Sequence, residues 1–445
     1  MILDLMRFGK TPPAREPFEH LVVPEFVKPE ARLRFWNFAA CIGWTAALLV
    51  ILARSAGGYH RPIAFDRIAF VHFRLAGLHW TRGEDLYTNW RGFVYSPTVA
   101  AFFAPFAYLP PSVAIVLWQL LNAAALLGGL TALLQTISPG DVRRRVGIIC
   151  LLLLPLALGN LDIGHSNPLT IGLLMLAVAA AGVQRWNCAA LCVAMATSLK
   201  IYPLAIGLLI CVVAPRQFGW RLLVALLLFA VAPFLFQHWP YVVEQYRTWI
   251  STRSMDNRLN YPIKYAPLDL WFLLHWVGHS SFPASLYKLL QLASGGAIAL
   301  FCAWGKRKRW AVERLLTSLF CLALIWMMLL GPATEAYTYV LLAPALILAL
   351  VHVFTKSGSS WLKLWISTAF ILQLIAAARA SFLPGFKPLW IFSAQPLSAL
   401  LFLGPCLVWL LDDSYWREEL ALEKVPGACE SQPKIRLPKD QAEGL

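Results

Sequence analysis

Charged residues are scarce in this chain. Asp, Glu, Lys and Arg make up 14% of its 445 residues, whereas 59% are hydrophobic; soluble domains carry roughly 25% charged residues. The deficit excludes an ordinary water-soluble globular protein. Basic residues outnumber acidic ones by 38 to 23, but they lie between apolar segments, where membrane topology requires them. We therefore expect no nucleic-acid partner.

Three other features are missing as well. The apolar runs, such as residues 222–236, do not alternate with polar residues, which excludes a membrane β-barrel. The nine cysteines have no spacing typical of a metal site or a disulfide framework, so we expect no metal or other cofactor. Residues 1–35 are polar and rich in proline, unlike a signal peptide. We expect the first apolar run to be a retained span.

Long apolar runs recur through the rest of the chain and predict an all-α polytopic membrane protein. We expect about twelve transmembrane helices, near residues 36–54, 112–136, 146–161, 168–184, 186–199, 201–214, 221–238, 284–304, 315–331, 337–354, 361–380 and 393–411. An even number of crossings places both termini on one side. Basic clusters at 143–145 and 306–309 fall in short loops on that side, which indicates the cytoplasm of a bacterial-type inner membrane.

The spans divide the chain into an N-terminal arm, a transmembrane domain and a C-terminal tail, with both ends cytoplasmic. Their ranges are 1–35, 36–411 (outer loops 55–111 and 239–283) and 412–445. In the first outer loop, FDRIAFVHFRLAGLHW has apolar residues at helical spacing, which predicts an amphipathic helix on the membrane surface. The apolar pieces 97–109 and 267–277 are too short to cross comfortably, and we interpret the first as interfacial or re-entrant.

Basic residues also lie on the outer side, against the usual topological bias. They are Arg61, Arg67, Arg74, Arg82, Arg91, Arg253, Arg258 and Lys264. Cations in this position indicate an anionic ligand such as a phosphate, although pairing with lipid headgroups is the alternative. Glu335 lies between two apolar spans, where a carboxylate is costly and tends to be functional.

The segment SLKIYP (198–203) breaks an apolar stretch with Lys200 and Pro203. Non-helical backbone at membrane depth is tolerated only where protein or water covers it. We therefore take Lys200 as a candidate phosphate ligand together with Arg258 and Lys264; the alternative for Lys200 is extension to the membrane interface. Asn167 precedes a helix, so it is either a helix cap or a substrate contact.

Four regions together resemble glycosyltransferase family 87. They are DRIAFVHFRLAGLHWTRGEDLY with YSPTVAAFFAPFAYLP, then GHSNPLTIGLLMLA, then SLKIYPLAIGLL, and finally GPATEAYTYVLLAPAL. Each motif is weak alone, but their order and spacing over roughly residues 36–355 are specific. Two positions depart from the family pattern: Arg67 follows Asp66 where an aromatic residue is frequent, and His165 stands where glutamine is common.

The resemblance implies a GT-C type glycosyltransferase with a long first periplasmic loop. Such an enzyme transfers a sugar, usually mannose, from a polyprenyl-phosphate donor to a lipid-linked or other cell-envelope acceptor at the outer face, with inversion. Asp66 matches the family's catalytic aspartate, and attack by a hydroxyl needs such a base. The candidate substrate-binding residues are Arg67, His165, Asn167, Lys200, Tyr202, Arg258, Lys264, Glu335 and Tyr337.

Other interpretations stay open at this point. A transporter or flippase of a lipid-linked sugar would share the spans and the outer cations, but it should carry charges within its spans and show repeat symmetry. An O-antigen ligase or polymerase would rely on a large late loop, and a membrane scaffold would leave the polar motifs unexplained. Asp85 and Glu84 are the alternative candidates for the catalytic base, whereas we interpret Asp162 as a helix-end residue.

Overall fold

The computed structural model describes residues 29–58, 69–87, 93–138, 140–255, 261, 266–331, 334–355, 359–382, 389–413 and 416. All regular secondary structure in these residues is helical. The α-helices are α1 (Pro29–Gly58), α2 (Ala69–Arg82), α3 (Pro97–Tyr108), α4 (Pro111–Ile137), α5 (Gly140–Arg143), α6 (Val146–Asp162), α7 (Asn167–Gly182), α8 (Trp186–Leu199), α9 (Leu204–Val213), α10 (Trp220–Val231), α11 (Trp239–Met255), α12 (Leu270–Phe272), α13 (Ala284–Arg307), α14 (Val312–Leu329), α15 (Ala343–Thr355), α16 (Ser360–Phe382) and α17 (Leu389–Leu411). Short π-helical and 3₁₀ segments complete the set at Pro215–Gly219, Ala232–Leu235, Leu273–Val277 and Ala336–Leu341.

Seven helical stretches of the described chain are long and apolar enough to cross a membrane. They are Leu33–Gly57, Pro111–Ile137, Pro215–Leu235, Ala284–Arg307, Val312–Leu329, Ser360–Arg379 and Phe392–Leu411. Each coincides with a predicted span, so the chain is a multi-pass membrane protein. The other five predicted spans fall on α6, α7, α8, α9 and α15, which are apolar but only 10–17 residues long. A total of twelve crossings stays a prediction.

The short helix α7 lies at the centre of the core and packs most closely against α4. Its side chains from Asn167 to Met175 are all buried. At the crossing, a Cβ on Gly172 would come within 2.3 Å of the Ala125 carbonyl oxygen, and a Cβ on Gly129 within 2.3 Å of the Gly172 carbonyl oxygen. Small residues allow such backbone contact between membrane helices. The position of α7 is therefore fixed by α4.

The predicted amphipathic helix of the first outer loop is present as α2, but its apolar stripe faces protein. Phe70, Phe73 and Trp80 are 0–2% exposed, and α2 packs on α3, where a Cβ on Gly77 would lie 2.4 Å from the Phe103 carbonyl oxygen. The second apolar piece of the loop covers this stripe, and the position of α2 at the membrane surface stays a prediction. The two short pieces stabilise each other.

The predicted break at SLKIYP separates α8 from α9. Helix α8 ends at Leu199, the next residue is extended, and α9 begins at Leu204 after Pro203. Proline has no N–H with which to continue a helix, so the break follows from the local sequence. The second long outer loop contains α11 and then the short helical segment 270–277, in agreement with its predicted inability to cross.

Candidate active site

A cavity of about 530 Å³ lies where the break between α8 and α9 meets the segments that follow α11 and α14. Its wall includes three basic side chains, Lys200, Arg253 and Lys288, and two acidic ones, Asp269 and Glu335. Ligand sites are typically concave, mostly apolar and supplied with a few convergent polar groups. This cavity has those properties, and it is our candidate active site.

Lys200 points into this cavity from the end of α8. Its backbone is extended (φ −153°, ψ 139°), which takes the side chain off the helical path. The Lys200 Nζ donates a hydrogen bond to Asn167 Oδ1 at 2.7 Å and lies 5.6 Å from the centre of the Tyr202 ring. These two contacts fix the position of the ammonium, and its role as a phosphate ligand stays a prediction.

Asn167 is the residue that holds Lys200, and it is fully buried. Its Nδ2 donates to Asn160 Oδ1 at 3.1 Å and to the Tyr337 carbonyl oxygen at 2.8 Å. Asn167 is the first residue of α7 and its side chain does not cap that helix; instead Asn122 Oδ1 accepts a hydrogen bond from the Leu169 N–H at 3.0 Å. The capping interpretation of Asn167 is therefore wrong.

His165 lies near Lys200 and forms an aromatic pair with Tyr337. The two rings are stacked, with centres 6.2 Å apart and planes at 29°. Burial, and then the nearby Lys200 ammonium, hold the pKa of His165 well below its usual value, so the imidazole is neutral. The described residues provide no hydrogen-bond partner for its Nδ1. His165 therefore adds no positive charge beside Lys200.

Glu335 lies on the cavity wall at the start of the 3₁₀ segment Ala336–Leu341. It forms a capping box with Thr338: the Glu335 side chain accepts from the Thr338 N–H, and the Glu335 N–H donates to Thr338 Oγ1 at 3.2 Å. A carboxylate accepts several hydrogen bonds, so this one can cap the segment and still contact a ligand. The Glu335 side chain is exposed to the cavity.

The sequence profile of glycosyltransferase family 87 matches residues 93–332, more than half of the chain. The chain belongs to glycosyltransferase family 87. No curated protein matches it. Every cavity-lining residue of the described chain except Glu335 falls inside the matched range. The cavity is therefore part of the region that carries the family's sequence pattern, in a membrane glycosyltransferase.

The predicted site residues of this family 87 glycosyltransferase divide into three groups. Lys200, Tyr202 and Glu335 line the cavity. His165, Asn167 and Tyr337 do not line it but contact Lys200 or each other. Asp66, Arg67, Arg258 and Lys264 lie outside the described residues. Their predicted roles, including that of Asp66 as the base, stay predictions.

Two of the outer arginines have structural partners in place of a ligand. The Arg74 Nη2 donates to the carbonyl oxygens of Ala107 and Leu109 at 3.1 and 3.2 Å, so it caps the end of α3. Arg82 pairs with Glu84 at 3.9 Å. Arg253, by contrast, lines the cavity. The outer cations thus do not act as one set, because tertiary contacts assign them different partners.

Sequence reasoning missed three cavity residues of the glycosyltransferase: Asp269, Tyr287 and Lys288. The Asp269 carboxyl is 2% exposed and accepts hydrogen bonds from the Phe272 N–H at 3.0 Å and from the Tyr287 hydroxyl. Burial raises its pKa to about 7, although these hydrogen bonds lower it. The available signal was an isolated aspartate in the apolar run PLDLWFLLHWV. Lys288 was hidden because it falls in the first turn of a predicted span.

The alternative candidates for the base have local roles. The Asp85 Oδ1 accepts from the Tyr87 N–H at 3.2 Å, and Glu84 pairs with Arg82, as does Asp162 with Arg54 at 3.4 Å. The contact of Asp162 agrees with its predicted helix-end role. Within the part of the chain that the structure describes, no three His, Cys, Asp or Glu side chains form a group that could hold a metal.

Proposed function

We propose that this glycosyltransferase moves a sugar, mannose in the first instance, from a polyprenyl-phosphate donor to a lipid-linked or other envelope acceptor. The transfer takes place at the outer face of a bacterial-type inner membrane and inverts the anomeric carbon. The observation that carries the proposal is the cavity that Lys200, fixed by Asn167, lines together with Arg253 and Lys288. These three cations suit the phosphate of the donor.

The chemistry of the transfer explains why cations are needed. The acceptor hydroxyl oxygen forms a bond to the anomeric carbon, and the bond from that carbon to the phosphate oxygen breaks. Polyprenyl phosphate leaves with the bonding electrons, so negative charge grows on the phosphate in the transition state. Positioned cations lower the barrier most when they face the atoms where charge develops. Lys200, Arg253 and Lys288 take this role.

The hydroxyl proton needs an acceptor, and we assign it to Asp66. A single carboxylate suffices as general base, because the phosphate leaves without protonation by a strong acid. Glu335 is assigned to the sugar or the acceptor, since a carboxylate accepts hydrogen bonds from hydroxyl groups. Arg67, Arg258 and Lys264 are assigned to substrate binding together with Tyr202. Asn167 holds Lys200 through a hydrogen bond, and Tyr337 and His165 surround this pair.

The cavity volume supports a ligand of this size. Small-molecule sites usually occupy roughly 300–1,000 Å³, and about 530 Å³ accommodates a sugar phosphate while the polyprenyl tail stays in the bilayer. Family membership favours glycosyl transfer over the transporter, ligase and scaffold alternatives. No observation favours one of these as a second candidate.

The test is transfer of radiolabelled mannose from polyprenyl-phosphate mannose to endogenous lipid in membranes that contain the protein at equal amounts. Wild type should transfer, Lys200→Met should lower kcat/KM by about 10²-fold or more, and Asp66→Asn by at least about 10²-fold. Lys363→Met, a lysine at the start of α16 and away from the cavity, is the matched control and should retain activity.

Either half of the proposal can fail separately. Wild-type transfer from polyprenyl-phosphate glucose but not mannose would change the sugar and retain the mechanism. Full activity of Lys200→Met would exclude the cavity as the phosphate site. Full activity of Asp66→Asn would exclude Asp66 as the base and redirect the search to Asp269 and Glu335.

A further inference from the structure

The geometry points to Asn160, near the end of α6, as a positioning residue for the Lys200 ammonium. This inference rests on the proposed function, in which Lys200 binds the donor phosphate. Asn160 is 3% exposed and does not line the cavity. It acts through Asn167, and its contribution follows from the directions of three hydrogen bonds.

The orientation of the Asn167 amide determines whether it can bind Lys200. An asparagine side chain has two N–H donors on one side and a carbonyl acceptor on the other. Lys200 is only a donor, so the amide must present its oxygen to the Lys200 Nζ, which lies 2.7 Å away. The opposite orientation would set an N–H against an ammonium. The catalytic arrangement therefore depends on what fixes this amide.

Two acceptors fix the orientation of the Asn167 amide. Both N–H groups of Asn167 Nδ2 meet acceptors: Asn160 Oδ1 at 3.1 Å and the Tyr337 carbonyl oxygen at 2.8 Å. The Tyr337 carbonyl belongs to the backbone and cannot be removed by substitution. Asn160 Oδ1 is a side-chain acceptor, so a substitution of Asn160 can remove it. Without it, one buried N–H of Asn167 would lose its partner, which is costly.

Asn167 connects Lys200 with the segment that Glu335 caps. Asn167 binds Lys200 on one side and the segment that begins at Glu335 on the other, through the Tyr337 carbonyl. Asn160 and Asn167 lie on the consecutive helices α6 and α7, and a turn of four residues separates these helices. The amides of Asn160 and Asn167 thus fix the position of Lys200 relative to Glu335.

The test is a donor-binding experiment on the full-length protein in lipid nanodiscs, with polyprenyl-phosphate mannose varied at a fixed acceptor concentration. We expect Asn160→Leu, which keeps the side-chain volume but removes the acceptor, to raise the donor KM about tenfold, the size expected for a lost hydrogen bond to a charged site, with a smaller change in kcat. Asn160→Asp retains an acceptor oxygen and should restore the KM to within about threefold of wild type.

A double-mutant cycle separates positioning from general stability. If Asn160 acts through Lys200, Asn160→Leu will leave the donor KM unchanged in a Lys200→Met background, because interacting residues are not additive. An equal increase in both backgrounds would overturn the assignment, as would an unchanged KM in the single variant. If Asn160→Leu does not accumulate in membranes, the smaller change Asn160→Ala takes its place in the same cycle.

Asn122 provides the matched control. It is another buried asparagine next to the start of α7, but it binds the Leu169 N–H and not Asn167. Asn122→Leu should lower thermal stability and leave the donor KM unchanged. A KM increase equal to that of Asn160→Leu would mean that displacement of α7 alone explains the effect. Failure of Lys200→Met to change the donor KM would exclude Lys200 as the donor-phosphate ligand, and this inference with it, whereas absence of transfer by wild type would overturn the proposed function.

Discussion

Two basic residues lie near opposite ends of α14, and their environments differ. Arg314, in the first turn, is 5% exposed. It donates twice to the Leu410 carbonyl oxygen, at 2.9 and 3.1 Å, pairs with Asp413, and stacks 3.8 Å from the Trp310 ring centre. Lys200 lies beyond the other end, where Gly331 shares its cavity. Its Nζ donates to the neutral amide oxygen of Asn167 at 2.7 Å.

The difference shows how a structural cation can be distinguished from a functional one. Arg314 has its planar donor groups matched to fixed protein acceptors, which leaves no room for a ligand. Lys200 is oriented by Asn167 but faces a volume of about 530 Å³. The half-buried Lys200 side chain borders this volume, which is large enough for a ligand.

Loss of the structural cation should affect folding and not donor binding. We expect Arg314→Met to lower the free energy of unfolding by about 3–5 kcal/mol, because the Leu410 carbonyl oxygen loses two buried hydrogen bonds to a charged group, each worth about 1.5–3 kcal/mol. Thermal unfolding in nanodiscs measures this. The folded fraction should show an unchanged donor KM, and Lys308→Met, an exposed lysine nearby, should leave stability unchanged. A raised donor KM in Arg314→Met would remove the distinction between the two ends.

The buried acid of the cavity should make stability depend on pH. The pKa of Asp269 is raised from 3.8 to about 7, so the folded state holds a proton that the unfolded state has lost. The stabilisation is complete below about pH 4 and is lost as the pH rises through 7. The loss over this whole range should be on the order of 4 kcal/mol.

Asp269→Asn should flatten that dependence, because the amide does not titrate. The measurement is the unfolding temperature of both proteins between pH 5 and pH 8, at the pH values that detergent and lipid tolerate. Asp413→Asn, at the Arg314 end and largely exposed, is the comparison and should retain the wild-type slope. An identical slope in Asp269→Asn and wild type would show that Asp269 is not the titrating group.

Conservative exchange of the two cations should have opposite consequences. Lys200→Arg places a larger planar group where a compact ammonium binds Asn167 Oδ1, and arginine and lysine are not equivalent at such sites. We expect kcat/KM to fall about tenfold with stability unchanged. Arg314→Lys should lower stability by about 1–2 kcal/mol, because the second donor to Leu410 is lost, with kcat/KM unchanged. Transfer kinetics and thermal unfolding of both variants provide the four values.

The smallest effect is expected at Glu335. Glu335→Gln keeps an oxygen that can accept from the Thr338 N–H, so the capping box and the fold should persist. Loss of one charge-assisted hydrogen bond to a sugar hydroxyl should raise the acceptor or donor KM about three- to tenfold. Steady-state kinetics with each substrate varied in turn identify which one Glu335 contacts. No change in either KM would restrict Glu335 to capping.

The sequence predicts the helices of this protein more completely than it predicts their contacts. Apolar runs locate the helices because helix formation in a membrane is a local requirement. The break at Lys200 was also predictable, since Pro203 acts within its own turn. The central helix α7 gives no such local signal of its depth, because its burial depends on Gly172 meeting Gly129 from a distant part of the chain.

The site was predicted in part for the same reason. Lys200 and Glu335 stood out as charges within apolar sequence, and both line the cavity. Asp269 stood out no more than an ordinary helix cap, a role it also has, and only folding places it beside Lys288. Arg74 was predicted as one of a set of anion-binding cations, but its partners are carbonyl groups about 33–35 residues away. Long-range partners cannot be read from local spacing.

The shortness of α7 has a consequence for how a substrate arrives. A helix of 16 residues is about 24 Å long, less than the ~30 Å thickness of the hydrocarbon layer. A cation anchored at its head is therefore recessed by roughly 6 Å when the foot of the helix is level with the opposite surface. Such a recess favours ligands that are tethered by a long flexible tail, because only these can sink a phosphate below the headgroups while remaining in the bilayer.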